Sequence, residues 1–207
     1  MLTVNCEQGT DEWFAARCGV VTASCFSEIF TSQGKPTSGA KRPSYMNKLI
    51  AESLMGHPAA TFQSDAMRRG TELEPEARDF YAFNRDCDPV QVGLVYLDNR
   101  KVISCSPDAL IDDSGLWECK CPLPHTHVDY LLKNKVPAQY VPQVQGQLWV
   151  TDREWCDFHS YHPELDSMII RVNRDDTYIK ALASEVEKFV DQMLEKREQL
   201  TKRNAAA

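Results

Sequence analysis

No apolar run in this chain approaches the roughly 20 residues that a membrane-spanning helix needs, so no span is expected. The opening "MLTVNCEQGTDEW" lacks both the basic and the apolar region of a secretory signal, which points to a soluble, cytoplasmic protein. Disulfide rhythm is also missing: Cys6, Cys18, Cys25, Cys87, Cys105, Cys119, Cys121 and Cys156 follow no scaffold spacing, and reduced thiols are expected. There is no internal repeat, and only the terminal "AAA" is low in complexity. A shortage of positive charge, with a net −7, argues against a protein that coats nucleic acid uniformly. It does not exclude a DNA enzyme, because the placing of the basic groups decides that. Between Ile29 and Ala51 acids are absent while Lys35, Lys41, Arg42 and Lys48 are present, either as a basic patch or as a solvated loop.

What is there fits an ordinary globular chain. The 207 residues, 43% hydrophobic and 26% charged, allow one sizeable core and leave two full domains crowded. Short helices are expected over "DEWFAARCG" and "TASCFSEIF", the second capped by Thr22 or Ser24. Residues 31–44, rich in Gly, Ser and Pro, read as a mobile loop before a helix from about Ser44 to Met55. "DAMRRGTELEPEARDFYAF" is helical, with a kink or late start at Gly70 or Pro75. Strands are expected in "VQVGLVYLD", "KVISCS" and "GLWECKC", helix near 125–134 and 138–150, and strands in "WCDFHSYH" and "SMIIRVN". A closing helix over about 175–203 carries Ile179, Leu182, Val186, Phe189, Val190 and Met193 as one stripe. The fold class is α/β: one domain over 1–207, a central mixed sheet flanked by helices, and a core at about 70–150.

"CSPDALIDDSGLWECKCP" places charge beside apolar strands. Side chains alternate along a strand, so Glu118 and Lys120 share one face while Trp117, Cys119 and Cys121 share the other. Asp108, after Pro107 at the end of the preceding strand, would return beside Glu118 through a hairpin. Two carboxylates and an ammonium at one sheet edge suit Mg²⁺ or Mn²⁺ and phosphodiester hydrolysis. An exposed hairpin with an incidental Glu–Lys pair is the bland alternative.

The spelling "SPDALIDDSGLWECKCP" resembles the PD-(D/E)xK nuclease core, also called restriction-endonuclease-like. More closely, it resembles the phage lambda exonuclease and YqaJ-type viral recombinase family. "WFAARCGVVTAS", "RGTELEPEARDFY" and "YVPQVQGQLWVT" resemble that family's further blocks, in order, from about Trp13 to Val150. The resemblance implies that Asp108 and Glu118 ligate a metal together with the main-chain carbonyl of Cys119. Lys120 would activate the attacking water, and Glu74 would support the metal shell. Arg17, Ser24, Ser106 and Gln143, with Thr22 nearby, would bind a terminal 5′-phosphate. Read without the family, Arg17 is a surface helix residue and Ser24 a cap. The resemblance further implies a Mg²⁺-dependent 5′-to-3′ exonuclease, with Mn²⁺ able to substitute. Acting on double-stranded DNA ends, it would leave 3′ single strands for a single-strand annealing protein in phage recombination. A homotrimeric ring is expected to gather Lys41 and Arg42 around its channel.

Competing readings are a restriction-type endonuclease and a catalytically silent DNA- or recombinase-binding scaffold. Zinc at "CKCPLPHTH" fits no common ligand spacing, and after Cys121 only Cys156 remains for an iron–sulfur cluster; neither is expected. The stretch 56–65 carries no signature that assigns contacts.

Overall fold

One strand, Gly115–Lys120, sends alternate side chains into two different cores, and the other elements are arranged about it. The computed structural model describes residues 2–59 and 64–205. In chain order the elements are β1 (Leu2–Val4), α1 (Asp11–Ala16), β2 (Val21–Thr22), a 3-10 helix (Ala23–Glu28), α2 (Lys41–Met55) and α3 (Asp65–Arg85). Then come β3 (Leu94–Tyr96), β4 (Ile103–Cys105), β5 (Ala109–Ile111), β6 (Gly115–Lys120) and α4 (Pro124–Lys133). A short 3-10 turn (Ala138–Tyr140) leads into α5 (Val141–Thr151), β7 (Trp155–Ser160), β8 (Met168–Asn173) and α6 (Asp176–Ala205).

The expected single central sheet is two four-stranded sheets, ordered β1-β3-β4-β2 and β5-β6-β7-β8. Each is mixed: β2 runs parallel to β4 and β6 parallel to β7, while the other pairs are antiparallel. The chain leaves the first sheet at Ser106–Pro107–Asp108, because Pro107 has no N–H to continue a ladder. Gln8 fixes the turn by donating to the Pro107 carbonyl at 3.0 Å. Asp108 therefore lies just before β5, a strand the sequence reading omitted, instead of ending the strand before it. Val90, in the segment leading to β3, exchanges backbone bonds of 2.9 and 2.8 Å with Leu110 of β5 as an isolated bridge.

Helix α3 runs unbroken through Gly70 and Pro75, contrary to the expected kink or late start. A proline removes only one backbone donor, and burial of Ala77 and Tyr81 against β6 holds the helix beyond it. Ser64 caps its start, accepting the Met67 N–H at 3.2 Å. The segment expected as a second helix is a 3-10 helix, and its Thr22 cap makes no side-chain cap bond. That hydroxyl faces Arg17 instead. Helix α2 begins at Lys41, earlier than expected, so Lys41 and Arg42 belong to its first turn and not to the loop expected over 31–44.

Trp117, Cys119 and Cys121 pack with Ala77 and Tyr81 of α3. Leu116, on the opposite face, packs with Val144 and Leu148 of α5. The stripe of α6 meets Tyr45, Met46, Leu49 and Ile50 of α2 through Leu182, Val186, Phe189, Val190 and Met193. Burial of each such aliphatic or aromatic side chain stabilises by about 1.5–3 kcal/mol. Gly146 lets α5 press against the first 3-10 helix: a Cβ there would lie 2.3 Å from a Phe26 ring carbon. Among the described residues no helix is long and apolar enough to cross a membrane.

Candidate active site

Strand alternation puts Glu118 and Lys120 on the α5 face of β6, and the β5–β6 hairpin brings Asp108 alongside. Ala109 lies opposite Trp117 in that hairpin. Asp108 Oδ2 consequently accepts the Cys119 N–H at 2.6 Å. Glu118 is 1% exposed. A buried carboxylate must be paired and hydrogen-bonded, and this one is held from three sides. Lys120 Nζ and Gln143 Nε2 donate to its Oε1, and Gln147 Nε2 donates to its Oε2 at 2.6 Å. Lys120 Nζ also lies 5.4 Å from the Tyr140 ring centre. Glu74, on α3, is close enough for Glu118 and Lys120 to act on its ionisation.

Three carboxylates face one ammonium, and the proton affinities of Asp108, Glu74 and Lys120 reflect it. Burial, then repulsion from Glu118, pushes Asp108 well above the usual carboxylate range. Burial and Glu118 also raise Glu74. For Lys120, burial favours proton loss, but Glu118 and Asp108 together outweigh it and hold the ammonium charged. Among the described residues no three His, Cys, Asp or Glu side chains are already drawn into ligand geometry. The donor chemistry nonetheless fits a hard divalent cation: the candidates are oxygens, and the cluster carries more negative than positive charge. The Cys119 N–H anchors Asp108, and its carbonyl belongs to the peptide shared with Lys120.

A second cluster gathers residues distant in sequence. The Arg17 guanidinium lies 3.9 Å over the Trp13 ring and donates to Thr22 Oγ1 at 3.2 Å and Ser24 Oγ at 3.3 Å. The two hydroxyls are 3.0 Å apart. Trp13 Nε1 donates to Ser106 Oγ at 3.0 Å, so Ser106 joins the group through the indole. Among the described residues Arg17 has no carboxylate within ion-pair distance. Burial lowers its proton affinity, and the smaller effects of Cys25, Tyr45 and Glu52 oppose that only in part. Four of the residues expected to hold a phosphate are thus brought together. Gln143 is not among their contacts and turns to Glu118. Ser106 lies two residues before Asp108, which places the two clusters along one stretch of chain.

The family model described as the YqaJ-like viral recombinase domain matches residues 12–154, a span that includes both clusters. The chain belongs to that family. Over 95% of this chain and 99% of the other, the fold matches an alkaline exonuclease (LHK-Exo) from Laribacter hongkongensis, with 37% identity and a TM-score of 0.88. The same exonuclease in complex with dAMP matches with a TM-score of 0.87. A phage-related exonuclease from Haemophilus somnus 129PT shares the fold at a TM-score of 0.62 and 18% identity, over 86% and 96% of the two chains. An uncharacterized protein of Acanthamoeba polyphaga mimivirus is 25% identical over 165 residues. That similarity covers 73% of this chain but only 28% of the mimivirus protein. The α/β architecture of two mixed sheets flanked by helices is therefore that of the alkaline exonuclease.

In this YqaJ-like chain the two expected basic residues of α2 have local partners. Lys41 lies 4.0 Å from Glu28. Arg42 is 3.5 Å from Glu185 and packs over Phe189. Both ring nitrogens of His127 are engaged, Nδ1 with Ser160 Oγ at 2.7 Å and Nε2 with the Asp166 carbonyl at 2.8 Å. The thiols of Cys119 and Cys121 lie 3.8 Å apart and pack with Ala77 and Tyr81 of α3. Sequence reasoning missed Gln147, Trp13 as the link to Ser106, and Tyr140. The available signal for Gln147 was its spacing: four residues after Gln143, it lies on the same face of α5.

Proposed function

We propose that this protein is a Mg²⁺-dependent exonuclease that degrades one strand of linear duplex DNA from its 5′ end. The carrying observation is the convergence of Asp108, Glu118, Glu74 and Lys120 at the end of β6. Asp108 and Glu118, with the Cys119 carbonyl, would hold the ion, and Glu74 would support them; Mn²⁺ would substitute. When bound, such an ion supplies charge neutralisation at the scissile phosphate and a more acidic water. Lys120 would position the attacking water by donating an ammonium hydrogen to it, and at alkaline pH, after giving a proton to solvent, its free amine would accept one from that water. Glu118 sets the direction of the Lys120 side chain. Burial of the Glu118 carboxylate between β6 and α5 limits its alternative positions.

Arg17, Thr22, Ser24 and Ser106 would receive the 5′-phosphate: a planar guanidinium and short hydroxyls match a phosphate dianion. Gln143 would reach the nucleotide from the Glu118 side. The dAMP bound by the Laribacter exonuclease is a mononucleotide, the kind of product an exonuclease releases. The chain would act as one catalytic unit within a homotrimeric ring in the cytoplasm, with Lys41 and Arg42 near the DNA path. A ring would offset the weak attraction of a −7 chain for DNA by preventing release. The resulting 3′ single strand would pass to a strand-annealing protein.

Digestion of duplexes labelled separately at each end tests this polarity. Early release of the 5′ label, with the 3′ label retained in long single strands, is expected. Early release of the 3′ label would overturn the reading.

A further inference from the structure

Glu118 is gripped by two glutamines one helical turn apart, and only one of them belongs to the reading above. Gln147, 1% exposed, donates its Nε2 to Glu118 Oε2 at 2.6 Å. Its own carbonyl oxygen is buried with no hydrogen-bond partner. Turning the amide over would set that oxygen against the Glu118 carboxylate, so the charge-assisted bond fixes the orientation and leaves the orphan. An unpaired buried carbonyl costs folding free energy. A packing role alone would be filled better by an apolar side chain of similar length.

We propose that Gln147 is a positioning residue for divalent-metal binding. It holds the second oxygen of Glu118 while Lys120 and Gln143 hold the first. The carboxylate is thereby fixed in rotation about its last bond, and its orientation is set before an ion arrives. This rests on the metal-dependent reading. Groups of this kind, which orient a ligand without touching the ion, typically change metal affinity about 10–100-fold when removed. Gln145, on the same helix, gives a natural comparison. It too is buried, but both its polar atoms serve backbone: it donates to the Asn173 carbonyl at 2.9 Å and accepts the Asp175 N–H at 3.0 Å. Its role is to join α5 to the start of α6.

The test uses Gln147→Met, which keeps length and removes the donor, beside Gln145→Met and wild type. Two readouts are taken: the rise in melting temperature on titrating Ca²⁺ or Mg²⁺ without DNA, and the Mg²⁺ concentration giving half-maximal cleavage. Gln147→Met is expected to need about 10–100-fold more ion in both. Gln145→Met is expected to melt lower with the ion requirement unchanged. An unchanged ion requirement in a folded Gln147→Met overturns the positioning role. Should Gln147→Met fail to fold, Gln147→Glu supplies the second variant. Its added carboxylate faces Glu118 and should relax back to a folded state only with ion present; folding that ignores the ion counts against the proposal. If wild type itself shows neither an ion-dependent melting shift nor an ion requirement for cleavage, the metal-dependent reading is what fails.

Discussion

Replacing Asp108 by Asn should make the protein more stable after chelation and less able to respond to divalent ions. The amide keeps an oxygen for the Cys119 N–H, now accepted at 2.6 Å, and removes a charge repelled by Glu118 and disfavoured by burial. Lys120 loses one of its anionic neighbours in exchange, which limits the gain. Formally the cluster of three acids and one lysine goes from −2 to −1. Relief of one poorly compensated buried charge is worth on the order of 1–2 kcal/mol after the loss at Lys120. For a chain of this size that corresponds to a melting temperature about 2–8 °C higher. The pH dependence has a definite sign. An acid whose folded pKa is raised stays protonated in the folded state after the unfolded chain has ionised. Its contribution is favourable at low pH and falls away as pH rises from the ordinary carboxylate range through the folded value. The advantage of Asp108→Asn should therefore widen with rising pH in chelator, and added Ca²⁺ should reverse the order by stabilising only wild type. Calorimetry from pH 5 to 9, with and without ion, reads this directly. A variant that melts below wild type throughout in chelator would refute the repulsion argument.

Lys120→Met should lose cleavage by roughly 10²–10⁴-fold while staying folded, and near-normal rates in single-turnover assays would remove Lys120 from the chemistry. Because Glu118 and Asp108 hold its proton tightly, the wild-type rate should climb with pH on the alkaline side; a flat profile there would count against Lys120 as a proton acceptor. Arg17→Ala should lose most of the preference for phosphorylated over hydroxyl 5′ ends, and an undiminished preference would reduce Arg17 to a surface role. Gly146→Ala should destabilise by about 1–3 kcal/mol in denaturant melts, since its methyl meets the Phe26 ring. Unchanged stability would show that α5 can shift away from the 3-10 helix.

The central pattern was legible because period-two alternation is a strict geometric rule. Glu118 and Lys120 fall on one face of β6, and Trp117, Cys119 and Cys121 on the other, as the sequence requires. The α6 stripe was legible for the same kind of reason, at period 3.6. What the sequence hid depended on tertiary partners. The division into two sheets turns on how one proline and the Gln8 side chain set the Ser106–Asp108 turn. Strand β5, only three residues long, offers too few positions for a pattern. Thr22 has the chemistry of a cap, yet Arg17 takes its hydroxyl. Lys41 and Arg42 looked like free loop cations because Glu28 and Glu185, their neighbours in space, are distant in sequence or outside the acid-free stretch. Gln147 offered only its spacing from Gln143: an amide in an apolar helix face reads as unremarkable until the carboxylate beneath it is known.

The most direct test of the proposed chemistry is a single digestion series with wild-type protein. Linear duplex and covalently closed circular duplex of one sequence are incubated with Mg²⁺, and again with excess chelator. With a linear substrate phosphorylated at one 5′ end only, degradation of that strand with Mg²⁺, an intact circle, and no cleavage of either in chelator is the expected result. Cutting of the closed circle would contradict end-dependent action, and undiminished cleavage in chelator would contradict a metal role for Asp108 and Glu118.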